Sequence, residues 1–410
     1  MMRRLKKVIP KHSSCLDLSD YMVYLRSGFT PCKDQVIALE KVWEKVLGNR
    51  KIVPTPTGRH ALWSFLDIAG LKKGDEVLVS AYNFYVVIRL IIQKGLVPVF
   101  VDIEPETLCM DPDDLARKIT DRSRLVLVTH MFGTPADLKR ITLICKQNNL
   151  LLFEDCAHAV GTYCGTDHIG HTGDGALFSF GIYKLVNTFG GGMLVLRDSC
   201  SVDIDYNAPN LALTGIKSFL DNFIRSIFSV LMTPTLHTFI FYPLLRFSKR
   251  HIPGLYQMIE PSGNDPAYLF EVGNRAPFKP YMQRMIKQQL AKVEGKISRR
   301  REIAERINSG LKGVDGIRVL HQDRHGRANC SYFGIYVPDP EDMARHLEDC
   351  RIVSNPHEYY DCSNLPQFSE YKSYCKHANY AEKHILRLPN YSCLCDEEVE
   401  HILLTICSFK

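Results

Sequence analysis

Four apolar runs constrain this chain more than anything else in it: residues 76–80, 97–102, 125–130 and 150–155. They are continuous rather than alternating, so they read as strands buried on both faces, as in a parallel sheet covered by helices. The stretches between them, such as 61–69 and 135–148, carry helical spacing. Strand and helix therefore alternate, which predicts an α/β domain with right-handed crossovers from about residue 50 to 195. At 410 residues the chain is long enough for two domains. The last hundred residues mix helices (a long charged one over 287–312, shorter ones over 341–350 and 397–406) with short strands such as 330–337 and 351–353. That order predicts a smaller α+β domain.

The runs end in polar or acidic residues, as expected where strand carboxyl ends meet a site. One ends in Glu154-Asp155-Cys156-Ala157-His158. It is followed by Ser179-Phe180-Gly181-Ile182-Tyr183-Lys184 and then Gly190-Gly191-Gly192. An isolated lysine is ordinarily solvated. A lysine on a glycine-flanked loop, downstream of a carboxylate at a buried strand end, has a specific use in pyridoxal 5'-phosphate chemistry. The amine of Lys184 would form the Schiff base, and Asp155 would hold the pyridinium nitrogen charged.

Two further motifs precede these. Thr57-Gly58-Arg59-His60 opens a helix, where a glycine lets backbone N–H groups approach a phosphate. Ser80-Ala81-Tyr82-Asn83-Phe84 supplies an aromatic just after a strand. Together the motifs resemble the DegT/DnrJ/EryC1/StrS sugar aminotransferases, a fold-type-I family with a large, mainly parallel domain and a small α+β domain. The resemblance implies that Gly58, Arg59 and Ser179 hold the phosphate and that Phe84 stacks on the ring. It also implies that Asp155 binds the ring nitrogen, His158 the 3-hydroxyl oxygen, and Lys184 the aldehyde carbon. Asn274, in Gly273-Asn274-Arg275, stands nearest the segment that reaches a partner's phosphate in a homodimer. An amino-acid donor such as glutamate and a keto-sugar-like acceptor, nucleotide-linked or lipid-associated, are the implied substrates. Arg59 and the run Gly181-Ile182-Tyr183 depart from the commoner family sequence and mark a divergent branch. Other fold-type-I chemistry (acyl condensation or a lyase reaction) and a non-catalytic regulator or scaffold would use the same first groups.

Between the halves, residues 219–250 form a hydrophobic insertion whose uncharged stretch, 226–245, is flanked by Lys217, Arg225, Arg246, Lys249 and Arg250. It reads as an interfacial membrane hairpin, as an arm in a dimer interface or lid, or as a span weakened by Pro234 and Pro243. The expected organisation is an N-terminal arm (1–49), a cofactor-binding domain (50–215), the insertion (216–255), and a connecting helix with the small domain (256–410). A net charge of +6 is too mild to imply nucleic acid, and no nucleic-acid-binding signature is present. The fourteen cysteines are scattered without zinc spacing, so no metal is expected. Without a secretion-like leader at residues 1–10, reduced thiols and a cytoplasmic setting, peripheral at most to a membrane, are the expectation.

Overall fold

The computed structural model describes residues 7–26 apart from Ser14, residues 43–50 apart from Lys45 and Asn49, and residues 51–197, 238–239, 242–252, 280–356 and 359–409. Seven strands form the main sheet: β1 (Lys51–Thr55), β2 (Glu76–Ser80), β3 (Val97–Val101), β4 (Ser123–Thr129), β5 (Leu151–Asp155), β6 (Gly175–Ser179) and β7 (Gly192–Leu196). Their order across the sheet is β1-β7-β6-β5-β4-β2-β3. All pairings from β6 through β3 are parallel, whereas β7 runs antiparallel to both its neighbours.

The apolar runs account for this arrangement. In β2 every residue is buried, and in β4 every residue except Arg124, as expected for central strands covered on both faces. The run at 97–102 differs: Val97 and Val99 are only partly buried because β3 is an edge strand. Pro98 is tolerated there, and Pro54 in β1, because neither edge needs a full set of ladder donors. Helices α1 (Leu18–Arg26), α2 (Gly58–Ile68), α3 (Tyr85–Gln93), α4 (Pro112–Lys118) and α5 (Leu138–Gln147) belong to this half of the molecule. Helix α2 buries Ala61, Leu62, Phe65 and Leu66, packing across β6 and β7.

Helices α6 (Tyr242–His251), α7 (Pro280–Leu290), α8 (Val293–Leu311), α9 (Pro340–Asp349), α10 (Lys376–His384) and α11 (Asp396–Cys407) follow. The long helix expected over 287–312 is thus two helices, broken at Ala291 and Lys292. Ile303, Ile307 and Leu311 of α8 enter a second core with Val399, Ile402 and Ile406 of α11. A three-stranded antiparallel sheet shares that core: β8 (Arg318–Val319), β9 (Phe333–Tyr336) and β10 (Ile385–Leu388). Residues 351–353, expected as a strand, contribute only a bridge between Ile352 and Ile9. The N-terminal segment therefore lies against the small sheet's layer, and Cys15 is disulfide-bonded to Cys393. That pairing corrects the expectation that all thiols are reduced, because a contact across 378 residues of sequence is invisible in cysteine spacing. Most of the insertion, and Asn274, lie outside the described residues. No helix among the described residues is long and apolar enough to cross a membrane.

Candidate active site

The parallel strands deliver their carboxyl ends to one cavity of about 240 Å³. Asn83 and Phe84 reach it after β2, Thr129 and His130 from the end of β4, and Asp155, Ala157 and His158 from the end of β5. Gly181, Ile182, Tyr183 and Lys184 arrive on the loop after β6, and Tyr332 and Tyr359 from the C-terminal half. Four of the predicted residues, Phe84, Asp155, His158 and Lys184, thus share one space.

Asp155 is 7% exposed. Its Oδ1 accepts from the Ala157 N–H at 2.9 Å, and no described donor bonds Oδ2. Burial pushes its pKa up, against the pull of the Ala157 N–H, Lys184 and His130. A carboxylate that lines a cavity and has one oxygen without a protein donor is matched by a cationic N–H. Lys184 is half-buried, and burial, assisted by Arg387 and opposed by Asp155, brings its pKa down to about 8. About a tenth of the amine is therefore uncharged at pH 7, far more than for an ordinary lysine, which favours a nucleophilic role.

His158 is kept well below the ordinary imidazole range, first by burial and then by Lys184 and Arg387, so it is neutral. Its Nε2 is 2.9 Å from the Tyr359 hydroxyl, and both Tyr332 and Tyr359 meet its ring edge-on. Its carbonyl is pinned by Asn329 Nδ2 and Ser331 Oγ. Phe84 is 39% exposed and presents an aromatic ring to the cavity.

Gly58, Arg59 and Ser179 stand beside this space rather than among its lining residues. Thr57 caps α2, its Oγ1 accepting from the His60 N–H. A methyl group on Gly58 would lie 3.2 Å from Ser179 Cβ and 3.3 Å from Leu177 Cδ1. One on Gly181, which does line the cavity, would lie 3.9 Å from Ser179 Oγ. The helix start, the serine and the cavity are therefore contiguous. Arg59 is partly buried, and that burial lowers its pKa. The donor set fits pyridoxal phosphate: a helix start and hydroxyl for the phosphate, an aromatic for the ring face, a cavity-lining carboxylate for the ring nitrogen, and a lysine amine of lowered pKa.

Sequence reasoning missed Asn83, Thr129, His130 and Tyr332 as lining residues. Asn83 Nδ2 donates to Thr129 Oγ1 at 3.1 Å, tying two strand ends together. His130 accepts the Ala136 N–H at Nδ1, so its Nε2–H donates to Glu154 Oε2 at 3.1 Å. Glu154 also accepts from the N–H groups of Gly170, Thr172 and Gly173. His130, Glu154 and Cys156 lie close enough to hold a metal, but these bonds already occupy the nitrogen and oxygen ligand atoms. Placement at the end of an apolar run was the available signal for Thr129 and His130. Tyr359 opens a Tyr-rich stretch over 359–374.

The DegT/DnrJ/EryC1/StrS aminotransferase family model matches residues 18–227 and 281–406. GDP-perosamine synthase of Vibrio cholerae is 25% identical over 386 residues, covering 92% of this chain and 91% of that protein. L-Glutamine:scyllo-inosose aminotransferase of Streptomyces griseus is 34% identical over 168 residues, 41% of this chain and 39% of that protein. The aminotransferase TlmJ from Streptoalloteichus hindustanus has the same fold, with a TM-score of 0.73, 23% identity and 98% coverage of both chains. The chain belongs to the DegT/DnrJ/EryC1/StrS aminotransferase family, and is a pyridoxal-phosphate-dependent aminotransferase.

Proposed function

We propose that the protein moves an amino group from an amino acid, glutamate in the first instance, to a keto sugar carried on a nucleotide or a lipid. The observation that carries this reading is the convergence of Lys184, Asp155, His158 and Phe84 on one cavity at the carboxyl edge of the sheet. The related GDP-perosamine synthase and scyllo-inosose aminotransferase, named for a nucleotide sugar and a cyclitol, support a polyol-like acceptor.

Bound pyridoxal phosphate supplies the electron sink that lets a substrate carbon give up its proton. The chain's residues do the rest. Lys184 Nζ takes that proton and returns it at the other end of the transfer, which its lowered pKa permits. Asp155 holds positive charge at the ring nitrogen, and Phe84 fixes the ring plane. Gly58, Arg59 and Ser179 anchor the phosphate at the start of α2. His158 orients the ring from its 3-hydroxyl side, with Tyr359 setting the imidazole's position. In the proposed organisation, residues 50–215 form the cofactor domain and residues 256–410 the connecting helix and small domain. A second copy completes the site as a homodimer, with Asn274 reaching the partner's phosphate.

Residues 219–250 are proposed to touch a membrane surface peripherally, bringing the site to a lipid-associated acceptor. Phe239, Leu244, Phe247 and Ile252 support this, being large apolar side chains that are exposed around α6. Purified protein should lose its yellow colour on addition of glutamate or glutamine. It should then transfer labelled nitrogen to a member of a keto-sugar panel, detected by mass spectrometry. Colour that no amino acid changes defeats the transferase reading. Flotation with anionic liposomes, lost on deleting 219–250, tests the membrane contact. Failure of the intact chain to float ends that part of the proposal.

A further inference from the structure

The loop that carries Lys184 is held from outside the cavity by a residue with no part in the chemistry above. Gln289, on α7, is 1% exposed. Its Oε1 accepts from the Asn187 N–H at 2.9 Å, and its Nε2 donates to the Asn187 carbonyl at 2.6 Å. Asn187 is fully buried in a stretch with no helix or strand. No backbone group among the described residues bonds to its N–H or its carbonyl, so the carboxamide stands in for a neighbouring strand.

Asn187 passes the contact on toward the lysine. Its Nδ2 donates to the Ile182 carbonyl at 2.9 Å, closing residues 182–187 around Lys184, and its Oδ1 accepts from the Phe189 N–H at 2.8 Å. Phe189 has a φ of +60°, a left-handed conformation that an aromatic residue keeps only where its surroundings impose it. Within the same loop the Lys184 N–H donates to the Gly181 carbonyl at 2.9 Å. Helix α7 is itself fixed. Met285 and Ile286 are fully buried in the main core, and Gln288 Nε2 donates to Ser19 Oγ and Asp20 Oδ1 of α1 at 2.6 and 2.9 Å. A packed helix is thus fastened to the lysine loop through a side-chain amide.

The geometry points to Gln289 as a positioning residue for Lys184: through Asn187 it holds the loop so that the amine stays in the cavity. The assignment rests on the reading of Lys184 as the amine-exchanging residue. A carboxamide supplies a donor and an acceptor to one peptide group while remaining uncharged. Methionine has a similar volume but no donor and only a weak acceptor. With methionine at 289, the buried N–H and carbonyl of Asn187 lose their partners. They regain them only if the loop moves toward water, and Lys184 moves with it.

The test uses the full chain, first stripped of cofactor and then reloaded. Trace acetylation of Lys184 from about pH 6 to 11, read by peptide mass spectrometry, gives the midpoint at which its amine becomes reactive. Burial, assisted by Arg387 and opposed by Asp155, places that midpoint at about 8. In Gln289→Met and in Asn187→Ala it should move up toward the ordinary 10.5, because the lysine regains hydration. In the reloaded proteins, glutamate at saturation should bleach the colour about tenfold or more slowly, with its half-saturating concentration within about twofold. The double variant should be no worse than the worse single one, since both break the same chain of contacts. Ile286→Val loosens the same helix without touching these hydrogen bonds. It should lower the urea midpoint and leave both the acetylation midpoint and the bleaching rate unchanged. An acetylation midpoint that stays near 8 in both single variants, or that moves equally in Ile286→Val, overturns the role of Gln289. If borohydride reduction of the reloaded wild-type protein labels a lysine other than Lys184, the reading of Lys184 fails separately, and the acetylation midpoint still decides whether Gln289 holds the loop.

Discussion

Lys184 shows how burial, assisted by a neighbouring cation, prepares a residue for chemistry. Its folded pKa of about 8 lies below the ordinary 10.5, so between those values the unfolded chain binds the proton and the folded chain does not. Stability of the cofactor-free protein must therefore rise with pH across that window relative to a Lys184→Met variant, and the cost of burying the charge is fully present below about pH 8. Urea denaturation of both proteins at pH 7 to 10 measures it, and a constant difference between them would contradict the assignment. Asp155→Asn should keep the fold and still bind cofactor, but lower kcat on the order of a hundredfold, since a neutral amide stabilises the ring-nitrogen charge far less than a carboxylate. Single-turnover rates with glutamate give the comparison.

The central elements were legible because their physics is local. Residues 76–80 have no polar alternation, so sequence gives their span as the structure does. Strands β1 and β6 went unread: β1 contains Pro54, and β6 is a short run beginning at Gly175. At the site, Lys184, Asp155, His158 and Phe84 were legible through motif spacing. Tyr332 and Arg387 were not, because they come from β9's approach and β10, and only the packing of the two sheets brings them near Lys184. The contact between α2 and β7 is equally non-local. A methyl group on Gly192 would stand 2.3 Å from the Thr57 carbonyl carbon and 2.4 Å from the Gly58 nitrogen. Gly192→Ala should therefore push the helix start off the sheet, cost about 1–3 kcal/mol, and weaken cofactor binding. Gly58→Ala meets side-chain atoms at 3.2 and 3.3 Å, which can yield, and should destabilise less. Urea midpoints and cofactor dissociation constants of the pair test the ranking; equal effects would refute it.

Across the whole molecule, the halves are joined by side chains that look functional in sequence. Asp102 ends the run at 97–102, yet its carboxylate accepts the N–H groups of His377 and Ala378 at 3.0 and 2.9 Å, capping α10 from 275 residues away. Asp102→Ala should cost about 0.5–2 kcal/mol and speed amide exchange in 376–384; unchanged exchange there would show that the cap does not hold the contact. Nearby, Tyr360 and Asp361 pair with Asn83 and Tyr82, so the segment carrying Tyr359 is docked beside the strand that leads to Phe84. The site thus depends on both halves, while its chemistry converges on one lysine. Borohydride reduction of the yellow protein, followed by peptide mapping, tests that claim most directly. The reduced pyridoxyl mass should fall on Lys184 and be lost in Lys184→Ala. A label on another lysine, or undiminished labelling of the variant, would contradict it.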